Sequence, residues 1–414
     1  MPVSTISDRL AGAELLEPGF AEVAAHCRSL SPGLRAAGFV LERDPDAVAG
    51  MLDLQAVKVL RAAATPKPYQ RAADAPDEVS LTGTSCLEWT IVLEGISYGD
   101  PGIVLGGPGP SLSGAAVTAL GSPEQREEYF ARLVGPTWTF FALTEPTKGS
   151  AVLELQTRLD RPGGADRNGT GNGSRNGSGD GWLLNGEKRY VGNGARAQLG
   201  VVFCRRTPGP WGIEAVLVDT SDPGFHGELL PTVGLRGARL SRMRFEDVWI
   251  SEDRILGRDR PPSRRGFYGA WRTLLRCRPT IAGMALGVTQ AVFDYVREQR
   301  RDLPRWQALE LEGLEQQVAA VRRLTYEVAA DIDQESVNQY RIGAVKMRTA
   351  QLGVQATLLA ADLLGPASLL EHPWLAKAYR DMRGFELMEG AANVHRLSVF
   401  QGLLKDDYFR EAAP

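Results

Sequence analysis

The side chains able to do chemistry are few and widely spaced. Cys27, Cys86, Cys204 and Cys277 show no CxxC spacing and no nearby pair of histidines. Neither a disulfide framework nor a zinc site is expected from that pattern, and four buried reduced thiols are. The stretch GGADRNGTGNGSRNGSGDG, residues 163–181, is Gly-rich with almost no apolar content. It resembles a phosphate loop only superficially and is expected to be a mobile loop between two strands. Between Gly257 and Arg278 stand Arg258, Arg260, Arg264, Arg265, Arg272, Arg276 and Arg278, a dense positive field in a chain of formal net charge -3. Such a cluster fits a partner carrying phosphates or acidic side chains; the alternative is a solvated loop with ordinary ion pairs. The overall charge gives no global attraction to nucleic acid.

These groups need elements to position them. With 414 residues, 43% hydrophobic and 23% charged, the chain can build two or three domains with sizeable cores. The opening MPVSTISDRLAGAELLEPGF lacks a basic segment followed by an apolar run, and no later run approaches a spanning length. A cytoplasmic location away from membranes is the expectation. Residues 1–136 read as a helical domain, with apolar three- and four-residue spacing over Ala21–Leu34, Asp46–Ala63, Thr84–Ile96 and Pro123–Leu133. Gly99-Asp100-Pro101-Gly102 and Gly107-Pro108-Gly109-Pro110 punctuate it, and Ser122-Pro123-Glu124-Gln125 supplies a cap and a first-position proline. Residues 137–257 change to short β-rich runs such as TWTFFAL, WLLNG, GVVFCR, IEAVLVD and MRFEDVWI, which predict an antiparallel β-domain with a hairpin turn at Asn185-Gly186. Residues 258–414 return to helix over Tyr268–Arg300, Trp306–Asp333, Ser336–Leu364 and His372–Met388, which suits a four-helix bundle. The class is α+β.

FALTEPTKGS, residues 141–150, resembles the flavin-contacting strand and turn of acyl-CoA dehydrogenases. Around it, in family order, lie LEGISYGDPG, LGSPEQREEYF, NGEKRYVGNGARA, FEDVWISEDRILG, RPTIAGMALG and RDMRGFELMEGAANVHRL. The resemblance covers most of the chain from about residue 90. It implies FAD as cofactor and the α,β-dehydrogenation of an acyl thioester of CoA or of an acyl carrier protein. An electron-transfer flavoprotein as electron acceptor and a homodimer or homotetramer belong to the same expectation. By resemblance Glu389 is the base that takes the α-proton while the flavin takes the β-hydride, the Glu389 backbone NH together with a flavin ribityl hydroxyl donates to the thioester carbonyl, and Gly390 stands on the substrate side. That chemistry requires a carboxylate base beside donors for the enolate-like oxygen. Thr144, Ser150, Tyr190, Gly192 and Arg300 stand at or near cofactor-binding positions. Cys277, Arg278, Arg264 and Arg265 stand on the substrate side. Cys277 occupies the position where some relatives keep their base, and Arg278 follows it; a thiol there leaves Glu389 as the expected base. Burial should raise the Glu389 pKa toward working pH.

The sequence also departs from the family. Gly192 stands where a threonine usually approaches the flavin, Ala391 replaces the threonine after Glu-Gly, and ADLLGPASLL around Gly365 lacks the usual paired glycines. Two other readings therefore stay open: an oxidase or monooxygenase on the same fold, or a flavin-free binding or assembly subunit.

Overall fold

The computed structural model describes residues 16–72, 75–147, 149, 152–162 and 181–405. Ser150 and residues 163–180 of the expected loop lie outside the described residues. Helices α1 to α7 span Pro18–Ser29, Ser31–Arg43, Gln55–Ala64, Cys86–Gly99, Pro101–Gly106, Ser111–Leu120 and Pro123–Ala131. Strands β1 to β8 follow at Thr139–Ala142, Arg158–Asp160, Gly181–Val191, Leu199–Arg205, Ile213–Asp219, Phe225–Leu229, Ser241–Ser251 and Ile255–Leu256. Helices α8 to α13 complete the chain at Gly266–Gln299, Arg305–Asp333, Gln339–Leu364, Ser368–Glu371, Pro373–Leu387 and Ala392–Leu404. The order helices, sheet, helices is the expected one. Helices α5, α6, α11 and α13 are additions to the sequence reading, and two expected helices are corrected: Ala21–Leu34 breaks at Leu30, where Pro32 starts a new helix, and Asp46–Ala63 is a 3-10 helix at Pro45–Gly50 followed by α3. Among the described residues no helix is long and apolar enough to cross a membrane.

The chain forms two compact units. One comprises residues 1–107, 232–238 and 274–414, and the other residues 108–231 and 239–273. The first and last helical segments of the sequence therefore share one unit, while α6 and α7 belong with the sheet.

In the helical unit α4 is apolar on every face and buried along nearly its whole length, as a central helix must be. Its start is held by Asp333 at the end of α9, whose carboxylate accepts from the Cys86 amide at 2.6 Å and from the Ser85 hydroxyl at 2.7 Å. Helix α8 lies against it through glycines. A Cβ on Gly283 would stand 2.6 Å from the Thr90 carbonyl oxygen, and one on Gly287 would collide with the Glu94 carbonyl. Charge is buried here too: Arg322 of α9 donates to Glu94 at 2.8 Å, and the Tyr326 hydroxyl donates to the other carboxylate oxygen at 2.8 Å. The Gly99-Asp100-Pro101-Gly102 stop is a junction of helices, because Asp100 accepts from the Gly102 amide at 2.7 Å and caps α5 at Pro101. Asp100 also pairs with Lys377, which pairs with Asp381.

In the other unit the strands follow the order β6-β7-β3-β2-β4-β5-β8, with β1 beside β4. The expected antiparallel sheet is in fact mixed, since β1 and β2 each run parallel to β4. The hairpin expected at Asn185-Gly186 is also corrected. Strand β3 runs straight through it, with a register shift between Leu184 and Gly186 against β7. Gly186 does use a positive φ of 142°, as the dipeptide suggests, but spends it on a bulge where the Thr157 backbone comes so close that a Cβ would lie 2.6 Å from its Cα. Ser122 caps α7 ahead of Pro123, as the sequence predicts, and Gln125 completes a reciprocal capping box with it. All four cysteines are free and buried.

The glycine contact between α8 and α4 gives a direct test. Gly287→Ala forces the helices apart and should destabilise the protein by about 1–3 kcal/mol, the usual range for overpacking. A thermal unfolding scan should show the loss; a melting temperature equal to that of the parent would rule out the close backbone approach.

Candidate active site

The sharpest chemical feature of the helical unit is the short link between α12 and α13. Met388 is extended, and Glu389 and Gly390 then adopt φ values of 50° and 103°. Two consecutive positive φ values turn the chain back sharply, which is unusual for glutamate and needs support from its surroundings. Gly390 is obligatory, because a Cβ there would stand 2.9 Å from His395 Nε2. Three backbone carbonyls around the link are held by cations. Arg278 Nε of α8 donates to the Glu389 carbonyl at 3.3 Å, and Lys346 Nζ of α10 donates to the carbonyls of Glu386 and Gly390 at 3.1 and 2.6 Å. Among the described residues the Glu389 carboxylate itself makes no hydrogen bond or close ion pair.

That arrangement decides the electrostatics. Desolvation raises the Glu389 pKa above the usual carboxylate value, and the charges of Arg278 and Lys346 oppose the rise. Cys277 lies near enough for burial, reinforced by the Glu389 charge, to push its thiol pKa well up, so it stays protonated. Burial brings Lys346 down to about 8, with Glu389 resisting, and brings His395 down to about 4, with Arg278 and Lys346 adding to the effect. His395 is accordingly a neutral imidazole near neutral pH. The structure thus brings together Glu389, Gly390, Cys277 and Arg278 from the sequence reading. It adds Lys346 and His395, which that reading missed. Lys346 had a signal: it lies with Ile342, Val345 and Thr349 on the buried stripe of α10, where a lysine is out of place. His395 stood within the quoted segment around Glu389.

The sheet unit holds Thr144, Tyr190 and Gly192 of the residues expected at a flavin. Past the end of β1, the Thr144 carbonyl accepts from the Arg189 amide at 2.9 Å, which sets Thr144 beside the end of β3. Tyr190 sits at a register shift of β3 with φ 61°, and its ring is 57% exposed. A bulge re-aims a side chain out of the regular alternation, which leaves the Tyr190 ring exposed, with the Arg189 guanidinium 5.3 Å from its centre. Thr144 is braced on both sides by a buried ion pair. Lys188 Nζ donates to the Leu143 carbonyl at 3.0 Å and to Glu145 at 2.9 Å, and Glu145 also accepts from the amides of Gln156 and Thr157 at 2.7 and 2.9 Å. An exposed aromatic side chain fits a planar ring system such as a flavin. Gly192, half-buried in the turn after β3, brings no hydroxyl to it.

The remaining expected residues make contacts of their own. Arg300 donates to the Leu363 carbonyl at the end of α10, in the helical unit. Arg265 donates to the carbonyls of Arg260 and Arg258 at 2.7 and 2.9 Å and approaches Glu214, while Arg260 donates to the Ala119 carbonyl at 2.6 Å. The arginine-rich stretch is therefore in good part its own scaffold. Arg264 is exposed, with its guanidinium 5.4 Å from the Tyr268 ring centre.

Comparison with known proteins bears on both units. The middle-domain model of the acyl-CoA dehydrogenase family matches residues 140–248, and the C-terminal-domain model of the same family matches residues 264–404, together more than half of the chain. A probable medium-chain specific acyl-CoA dehydrogenase 2 of Caenorhabditis briggsae, a mitochondrial protein, is 27% identical over 346 residues, 80% of this chain and 79% of that protein. The fold is also that of glutaryl-CoA dehydrogenase from Mycobacterium smegmatis in complex with FADH2, with TM-score 0.73, 21% identity and 97% of each chain covered. The prolyl acyl carrier protein oxidase AnaB shares it with TM-score 0.71 and 19% identity, over 87% of this chain and 90% of that one.

The brace behind Thr144 is open to measurement. Lys188→Met leaves Glu145 as an uncompensated buried charge and should destabilise the protein by about 3–5 kcal/mol. Denaturant unfolding of the variant would reveal it, and an unchanged midpoint would mean that the pair does not hold the segment.

Proposed function

The chain belongs to the acyl-CoA dehydrogenase family, and on that premise we propose that this oxidoreductase removes two hydrogens across the Cα–Cβ bond of an acyl thioester, with Glu389 accepting the α-proton. The observation that carries the reading is the state of Glu389. It is half-buried, partial desolvation raises its pKa, and the cations around it are engaged with backbone carbonyls, so its oxygens stay available. A base is most effective when its pKa approaches the working pH, and desolvation moves this carboxyl in that direction. Arg278, bonded to the Glu389 carbonyl, keeps the turn in place and favours the ionised form of the carboxylate. The Glu389 amide is the donor we assign to the thioester carbonyl, where it would stabilise the developing enolate oxygen. Cys277 holds its proton and does not compete as base.

FAD is the cofactor of this reading and supplies the hydride acceptor. Tyr190 and Thr144 would hold its ring, and a family neighbour of this fold is an FADH2 complex. The acyl group is carried by CoA or by an acyl carrier protein. Exposed Arg264 beside Tyr268 suits the phosphates of either carrier or the acidic surface of the protein one, and the likeness to a prolyl acyl carrier protein oxidase supports keeping the second.

Glu389→Gln keeps the side-chain size and removes its basicity. Anaerobic flavin reduction by a panel of acyl-CoA and acyl-carrier thioesters should fall by roughly 10²–10⁴-fold, the contribution of a positioned general base. Flavin released on denaturation should match the parent protein. Parent-like reduction in the variant would assign the base to another residue, and a protein that neither carries nor takes up FAD would be a binding or assembly subunit.

A further inference from the structure

Lys346 is 1% exposed on the buried stripe of α10. An ammonium is brought into such a place only with strong acceptors, and here they are the carbonyls of Glu386 and Gly390. Those two groups flank Glu389: the first belongs to the last turn of α12, and the second follows the carboxylate directly. One cation therefore bridges both sides of a left-handed turn that a glutamate does not adopt unaided. His395 closes the same turn from α13, packed so tightly that neither Gly390 nor Gly343 of α10 can carry a Cβ without crowding its ring.

Given Glu389 as the base, we propose that Lys346 is its positioning residue: by bridging the Glu386 and Gly390 carbonyls it fixes the turn that presents the carboxylate, and its charge keeps that carboxylate ionised. The groups facing Lys346 are Glu389 in the turn, Glu386 on α12, Arg278 and Cys277 on α8, and His395 on α13. Burial brings the ammonium down to about 8. Near neutral pH it is charged and favours ionised Glu389. As pH rises through that value the charge is lost, and Glu389 binds its proton more tightly than it would beside an ammonium.

Infrared difference spectroscopy on the full-length protein tests this without using turnover, with the Glu389 carboxyl band assigned by its disappearance in Glu389→Gln. In Lys346→Met the proton affinity of Glu389 should rise about ten-fold or more, the usual influence of a nearby opposite charge. Lys346→Arg, which keeps the charge, should restore most of the difference. In the unmodified protein the carboxylate band of Glu389 should shift in frequency a second time in the mildly alkaline range, as Lys346 loses its charge, and that shift should be absent from Lys346→Met. An unmoved Glu389 titration in Lys346→Met, even with a lowered melting temperature, would reduce Lys346 to a structural role and overturn the proposal. If that variant does not fold, a Glu389 carboxylate band that stays fixed through the mildly alkaline range in the unmodified protein overturns it equally. Parent-like flavin reduction by Glu389→Gln would remove the base assignment alone, since the coupling of Lys346 to Glu389 is read separately.

Discussion

A carboxylate that is to act as a base near neutral pH has to be taken out of water without being neutralised by a partner. The two requirements conflict. Desolvation alone would leave the carboxyl protonated, and a direct salt bridge would hold it ionised but make it a poor base. Around Glu389 the conflict is resolved by sending the cations to the backbone. Arg278 and Lys346 spend their hydrogen bonds on the carbonyls of Glu389, Glu386 and Gly390, so their charges act on the carboxylate while its oxygens remain open. The turn geometry, the obligatory Gly390 and the buried lysine of α10 all follow from that one arrangement.

Buried charge holds backbone elsewhere as well. Lys188 and Glu145 fasten the segment around Thr144 through a carbonyl and two amides. Asp381 accepts from the Leu235 amide at 2.6 Å while pairing with Lys377, which ties residues 232–238 to α12 within the helical unit. A buried ion pair adds little net stability compared with a well-packed apolar substitute, but breaking one side leaves an isolated charge. Such pairs are therefore suited to fixing a conformation. In this chain one of them, Lys188 with Glu145, lies beside the segment that carries Thr144.

Order and type of the elements were legible because they rest on periodicity and local signals. Ser122 with Gln125 specified a helix start, and the long three- and four-residue patterns specified α8, α9, α10 and α12. What escaped depended on tertiary partners. Asn185-Gly186 has the dihedral freedom of a hairpin turn, yet pairing of β3 with β7 on both sides of it made a bulge. Pro101 and Pro110 look like terminators, but each precedes or opens a short helix, α5 and α6, as proline can at a helix start. In the candidate site, Glu389, Gly390, Cys277 and Arg278 could be found because a motif marks them. Lys346 is more than 40 residues from Glu389 in sequence, and only the packing of α10 against α12 and α13 brings its charge to the turn.

The pairing of Glu389 with Cys277 has a consequence for how the site can work. Two carboxylates facing one small space share protons, because each raises the pKa of the other and the pair titrates in coupled steps. Had position 277 carried an acid, the desolvated Glu389 would bind its proton more tightly still, and the charge of the site would depend on both groups. A thiol with a strongly raised pKa avoids this, since it is neutral over the whole range in which Glu389 ionises. The ionisation of Glu389 is then governed chiefly by burial on one side and by Arg278 and Lys346 on the other, with no second acid to buffer it.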